Sequence, residues 1–122
     1  MCETALSVVM SEVAKLGLAI THGSIPTNGS FACYVGAGSE SERFYNDDSI
    51  IDVLVSINGK HTNVQTLLQN FGLISNSLVK YRDDNIIGIR ISSVPVFVDK
   101  EENSQAWIYN MILNIQVFKR SV

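Results

Sequence analysis

The stretch QAWIYNMILNIQVF, residues 105–118, decides the fold. Every second residue in it is apolar, and these residues are Trp107, Tyr109, Met111, Leu113, Ile115 and Val117. Because successive side chains of a β-strand point to opposite faces, this alternation predicts one long strand with one face in the core. The other face carries Asn110, Asn114 and Gln116 among isoleucines, which predicts contact with solvent or with a partner subunit.

Further strand patterns precede this segment. Residues 50–57 predict a central strand with Ile51, Val53, Val55 and Ile57 on one face, and residues 31–35 predict a short strand. Residues 86–92 predict a strand with Ile87, Ile89 and Ile91 on one face. Residues 94–98 contain Pro95, which favours an edge or a bend because proline has no N–H for a ladder. The pair Asn58-Gly59 and residues 82–85 and 99–104 predict turns.

Two segments have apolar residues at helical spacing. In residues 4–16 these are Leu6, Val9, Met10, Val13 and Leu16, with Thr4 as the predicted N-cap and Gly17 as the predicted end. The second helix is predicted to start at a Thr62 cap, with a stripe of Val64, Leu67, Leu68, Phe71, Ile74 and Leu78. A break at Gly72 is compatible with this pattern because glycine weakens a helix.

The order of these elements predicts an α+β fold for residues 1–122 as a single domain. We expect a two-layer sandwich in which two amphipathic helices cover one face of a mostly antiparallel, twisted sheet of four to five strands. A chain of 122 residues is long enough to bury a hydrophobic core of its own.

Residues 36–48, GAGSESERFYNDD, have no apolar period and are rich in glycine and acidic residues. Thirteen such residues predict a long loop, and long loops in small domains are usually functional or mobile. The acidic side chains Glu40, Glu42, Asp47 and Asp48 are therefore candidate interface residues, together with the polar face of the last strand.

The composition and net charge argue against several classes of protein. The net charge of −3 and pI near 5.2 argue against a dedicated nucleic-acid binder, which needs a basic surface. Cys2 and Cys33 are too few for a disulfide scaffold, so both are expected to be reduced thiols; a bridge would require the first helix to lie against the strand that carries Cys33. No apolar run approaches the length of a membrane span, and we expect a soluble product of the cytoplasm.

The sequence lacks a recognisable catalytic or metal-binding pattern. His22 and His61 have no ligand spacing around them, and GAGS at 36–39 lacks the third glycine of a dinucleotide-binding turn. The paired acids at 47–48, 83–84 and 101–102 are adjacent in predicted turns, where they do not form a cleft with divergent pKa values. We therefore expect no enzyme activity, no cofactor and no metal.

Two stretches resemble a known family. They are SIIDVLVSINGKHTNVQTLLQNFGLI at 49–74, and ISSVPVFVDKEENSQAWIYNMILNIQVFKRS at 91–121, with its acidic turn and aromatic entry into the last strand. Together they resemble the small minor capsid or tail-terminator (tail-completion) proteins of long-tailed bacteriophages. The resemblance covers residues 49–118 and, more loosely, the first helix; residues 36–48 depart from it.

This resemblance implies a structural virion protein at the head–tail junction. Such proteins form a homo-oligomeric ring, typically a hexamer, that caps the major tail tube protein and docks to the head connector or stopper protein. DNA would touch the ring only in passage through a net-negative lumen. The alternative is a small cytoplasmic binding or adaptor module without catalysis.

Overall fold

The centre of the molecule is an antiparallel pair of long strands. The computed structural model describes residues 2–23, 26, 28–43 and 48–119, without the side chains of residues 2, 37–43 and 119. Its elements are α1 (Cys2–Lys15), β1 (Ile20–His22), β2 (Ser30–Arg43), β3 (Ser49–His61), α2 (Val64–Val79), β4 (Ile86–Lys100) and β5 (Trp107–Lys119). The five strands form one sheet in the order β1-β2-β3-β5-β4. All neighbours are antiparallel except the short parallel pair β1-β2.

Both helices pack on the same face of this sheet. The core contains Val53, Val55 and Ile57 of β3 and their register partners Ile115, Leu113 and Met111 of β5. Against them lie Ala5, Val9 and Val13 of α1 and Leu67, Phe71, Ile74 and Leu78 of α2. Each fully buried large side chain contributes about 1.5–3 kcal/mol of transfer free energy. The predicted two-layer α+β fold is confirmed.

The helix ends follow local chemistry. Gly17 adopts φ +81° just after α1, the left-handed conformation that glycine adopts at little cost, as predicted. The N-cap of α2 is Asn63, whose side chain accepts a hydrogen bond from the Thr66 backbone N–H, so the prediction of Thr62 was wrong by one residue. Thr4 also is not a cap, because α1 begins at Cys2. Helix α2 continues through Gly72 without a break.

The predicted loop over residues 36–48 was wrong for most of its length. Strand β2 runs to Arg43 and pairs with β3, with Glu40 opposite Ile51 and Glu42 opposite Ile50. Register shifts between Val35 and Ala37 and between Glu40 and Glu42 interrupt the ladder. The neighbouring strand β3 supplies the hydrogen-bonding partners, so a polar sequence becomes a strand without an apolar period of its own.

The predicted turn at Asn58-Gly59 was also wrong, because both residues lie inside β3. Asn58 is opposite Asn110 of β5, and Gly59 is opposite Tyr109. A Cβ at Gly59 would lie 2.7 Å from Phe31 Cε1 and 2.8 Å from Leu67 Cδ1. Glycine is needed here for close packing, and the pairing on both sides of β3 overrides the local turn preference.

Strand β4 lies at the edge of the sheet, as Pro95 predicted, but residues 86–100 form one strand. The predicted shared face of Ile87, Ile89 and Ile91 is right for Ile89 and Ile91, which lie opposite Ile115 and Leu113, but wrong for Ile87, which is 41% exposed while Ile86 is buried. The cause is a register shift between Ile86 and Gly88, which turns Ile87 away from the core. Strand β1, three residues long, was not predicted.

Candidate functional site

The described residues contain no convergent catalytic or metal-binding group. No three of their His, Cys, Asp and Glu residues are placed to hold a metal ion. The His61 Nδ1 accepts a hydrogen bond from the Asn63 backbone N–H at 2.9 Å, which gives this imidazole a structural part in the entry to α2. None of the helices in the described part of the chain has the length and apolarity needed to cross a membrane.

A groove of about 640 Å³ runs along α1, open to solvent. Its lining is Glu3, Leu6, Ser7, Met10, Ser11 and His22. The only imidazole in it is exposed, and its lining combines small hydroxyls with flexible apolar side chains. Such a groove lacks the enclosed apolar walls and converging polar groups that small-ligand sites usually have.

The thiol of Cys33 is buried in the core and unbridged. Burial raises the pKa of this thiol to about 11, because the thiolate loses hydration there. The reactive form of a cysteine is the thiolate, so Cys33 is a packing residue and not a nucleophile. The side chain of Cys2 lies outside the described part of the structure.

The sheet face opposite the helices, which we call the outer face, is the first candidate surface. Because side chains alternate along β5, Asn110, Asn114 and Gln116 all project from it, as predicted, and all are half-buried. Asn58 of β3 joins them, and its Oδ1 accepts a hydrogen bond of 2.7 Å from the Asn110 Nδ2. These four amide residues are called the amide face below.

Two acceptors at the amide face lack a donor within the described residues. They are Asp52 Oδ1 and Asn114 Oδ1, both buried among their neighbours. Asp52 is opposite Gln116, and Asn114 is flanked by Leu54 of β3 and Arg90 of β4. A buried acceptor without a donor costs about 1–3 kcal/mol, so this face favours a neighbour that supplies N–H or O–H groups. Sequence reasoning missed Asp52 and Arg90 because the strand register was not known.

The acidic candidates are not brought together with the amide face. The backbone positions of Glu40 and Glu42 lie opposite Ile51 and Ile50, at the end of β3 remote from Asn58. Asp48 is half-buried immediately before β3, and Asp47 lies outside the described residues. The four acids therefore do not form one loop, because Glu40 and Glu42 belong to strand β2.

The edge of β4 is the second candidate surface, and sequence reasoning did not select it. Its exposed apolar residues are Ile87, Ile91, Val94, Val96, Phe97 and Val98. The strand is held extended near its end by Phe97, whose ring lies 5.9 Å from both Trp107 and Tyr109 in edge-to-face contacts. Lys100 Nζ lies 4.7 Å from the centroid of the Trp107 ring, and Lys60 forms an ion pair with Glu101. The run VPVFV, apolar around a proline, was the available signal for this surface.

These features define a class: a two-layer α+β domain in which, among the described residues, one sheet face is not covered by helices and the edge of β4 has no neighbouring strand. Neither a protein-family model nor a curated protein matches the chain. Among solved structures, a chain described as "Virion of native gene transfer agent (GTA) particle" is similar to it, with a TM-score of 0.52 and 13% sequence identity. The likeness covers 91% of this chain and 84% of that chain. At this identity the two chains share a fold.

Proposed function

We propose that this chain is a structural protein of a phage-like virion that acts by binding and not by catalysis. The observation that carries the proposal is the fold shared with a chain of a gene transfer agent particle over nine-tenths of the present chain. The family resemblance of residues 49–118, found in the sequence alone, agrees with it. The absence of a convergent catalytic cluster among the described residues is compatible with a protein whose work is done by its surfaces.

More specifically, we propose a tail terminator. Copies of the chain form a ring, a hexamer as the family resemblance implies, that ends the tail tube and joins it to the head connector or stopper. The partners are therefore further copies of itself, the major tail tube protein and the connector, and DNA passes through the lumen without being held. A chain with net charge −3 suits such a lumen, because like charge repels the phosphate backbone.

The amide face and the acidic residues supply candidate contacts for this assembly. Asn110, Asn114 and Gln116 offer hydrogen-bonding groups on a half-buried face, and the orphan acceptors there gain donors when a neighbour covers them. Glu40, Glu42, Asp47 and Asp48 supply four negative charges within residues 40–48 of the sequence. Charged contacts of this kind select partners more than they add affinity.

The proposal is tested by deleting the coding sequence from the virus or prophage that carries it and examining the particles by electron microscopy. We expect overlong tails and full heads that are not joined, and restoration by the wild-type chain supplied in trans. Joined particles with tails of normal length in the deletion strain would refute the function as a terminator.

The acidic contacts are tested separately by complementation with a variant that neutralises Glu40, Glu42, Asp47 and Asp48 together. We expect fewer joined particles than with the wild-type chain. The control neutralises three exposed acids elsewhere, Glu3, Asp84 and Glu102, and should restore joining. If the first variant also restores normal particles, these acids have no role in assembly.

Oligomeric state separates the proposal from the adaptor alternative. Light scattering after size exclusion should give a mass several times the 13.4 kDa of one chain, either for the protein alone or with tail tubes. A monomer or dimer that never joins tubes would favour an adaptor module.

A further inference from the structure

Strand β4 is an unprotected sheet edge. Of the ten large apolar side chains that are exposed among the described residues, six lie on this strand, with exposures between 40% and 64%. Their exposed areas sum to on the order of 500 Å², comparable with the largest apolar patch of a typical monomer. This area is divided between the two faces of the strand, since Val96 lies opposite Asn110 and Phe97 opposite Tyr109. Soluble proteins usually protect such an edge with lysines or a covering loop. Between Ile86 and Val98 the only charge is Arg90, and the only interruption is Pro95.

A second free edge lies near the other end of the strand order, along β2. Strand β1 pairs with β2 only at Phe31, Ala32 and Cys33. From residue 34 to residue 43, the outer edge of β2 has no neighbouring strand in the described part of the chain. One molecule therefore offers two long rows of unpaired backbone groups, one at each end of the strand order.

These two edges differ in charge. Residues 34–43 of β2 contain Glu40, Glu42 and Arg43, a net charge of −1, whereas residues 86–98 of β4 contain only Arg90 and have a net charge of +1. A contact between β4 and β2 thus joins edges of opposite charge. A contact between two copies of β4 joins edges of the same sign and leaves the β2 edges unpaired.

We propose that the edge of β4, residues 86–98, adds as a strand to the outer edge of β2, residues 34–43, of a second copy of the chain. The contact is heterologous, since each copy uses β4 towards one neighbour and β2 towards the other. Contacts of this kind form a ring when the rotation between neighbouring copies closes, and a filament when it does not. Main-chain hydrogen bonds give the affinity, and the apolar side chains of β4 are covered in the same step. The inference deepens the proposed function by naming the contact that builds its ring.

Cross-linking tests which edges meet. In a Cys2→Ser background, with Cys33 left in place because it is buried, we make two variants: Val96→Cys on β4 and Ser39→Cys on β2. A short bismaleimide tolerates a small register difference between them. We expect cross-linked dimers only when the two variants are mixed, with no higher species because each chain has one accessible thiol, and no dimers when Leu73→Cys on α2 replaces Val96→Cys.

Two results would overturn the proposal. One is cross-linking of Val96→Cys with itself, which shows β4 against β4; the other is no cross-linking in the mixture. The absence of cross-linking in the mixture overturns the proposed contact both if the protein is monomeric and if it assembles through other surfaces. The tail lengths in the deletion strain test the proposed function and do not depend on the cross-linking. The proposed function and the proposed β4–β2 contact can therefore be refuted separately.

A charge variant provides a second measurement. Val94→Glu with Val98→Glu places negative charge on an exposed edge, where it should not disturb folding and where it is repelled by the net negative charge of the β2 edge. Leu73→Glu is the control at a similarly exposed apolar position. We expect the edge variant to lose the assembly and elute at the monomer mass with the far-UV circular dichroism spectrum of the folded chain, while the control assembles as the wild type does. An edge variant that still assembles overturns the proposed contact.

Discussion

Replacing Gly59 with alanine tests the packing at the centre of the sheet. The new Cβ would lie 2.7 Å and 2.9 Å from two carbons of the Phe31 ring and 2.8 Å from Leu67 Cδ1, closer than van der Waals contact allows. The ring cannot turn away freely, because it is buried and its edge-to-face contact with Phe71 has a centroid distance of 5.1 Å. Overpacking of this kind costs about 1–3 kcal/mol of the free energy of unfolding.

Gly72→Ala is the matched control. Nothing lies within 4 Å of a Cβ built at Gly72, which is in the middle of α2. The same glycine-to-alanine change should there raise the free energy of unfolding by about 0.5–1 kcal/mol, through the higher helix propensity of alanine. The two substitutions are thus expected to have opposite signs.

Urea titration followed by circular dichroism and by the fluorescence of Trp107 measures both variants. We expect the midpoint of Gly59→Ala to fall by about 0.5–1.5 M with an unchanged slope. A double-mutant cycle with Phe31→Leu identifies the cause: if the clash is steric, Phe31→Leu costs about 1 kcal/mol less in the Gly59→Ala background than in the wild type. A Gly59→Ala variant as stable as the wild type, or a cycle without coupling, would refute the packing argument.

Three further predictions concern single side chains. Asn63→Ala should lower the free energy of unfolding by about 1 kcal/mol in the same titration, because the Thr66 N–H loses its cap; an unchanged midpoint would show that the cap contributes nothing. The hydrogen bond from Tyr81 lowers the pKa of Asp83, so the stabilisation by Asp83 exists above the usual aspartate pKa and disappears as the pH falls through its folded pKa. Asp83→Asn should therefore cost about 0.5–1 kcal/mol at pH 7, near the lower end because the site is exposed, and the difference from wild type should vanish in acid; a difference independent of pH would contradict this. With a pKa near 11, Cys33 should react with Ellman's reagent in a Cys2→Ser chain only after denaturation, and one equivalent of reaction in the folded state would show that it is accessible.

Sequence reasoning predicted those helices and strands in which the residue pattern of the element itself determines which side chains are buried. The alternation in β5 was sufficient, because alternate residues from Met111 to Val117 are buried, with Trp107 and Tyr109 partly buried on the same face. The same holds for Leu67, Phe71, Ile74 and Leu78 of the α2 stripe, whereas the prediction for Leu68 was wrong, because this side chain is 40% exposed. By contrast, residues 36–43 have no apolar period and become strand only because β3 lies beside them. The bulge near Ile87 likewise depends on the pairing with β5, which the sequence of β4 does not reveal.

The candidate surfaces were predictable to a smaller extent. The amide residues of β5 were found because they are polar residues on an otherwise apolar face of the strand. Their neighbours Asp52 and Asn58 lie on β3, about 50 positions earlier in the sequence, and could be identified only from the strand register. Exposure of the β4 edge depends on strand order, since the same apolar residues in a central strand would be core. Edge position is a property of the whole sheet and has no local signal beyond Pro95.

The pairing at the centre of the sheet also has a consequence for how the chain folds. The rungs between β3 and β5 join residues far apart in sequence: His61 and Trp107 are 46 positions apart, and Ser49 and Lys119 are 70 apart. The two hairpins on either side close over short distances, Arg43 to Ser49 and Lys100 to Trp107. Loop closure therefore favours two hairpins that form early, each with an incomplete core, and a central seam that closes late. We therefore expect the pairing of β3 with β5, and not the formation of the two hairpins, to set the folding rate of the domain.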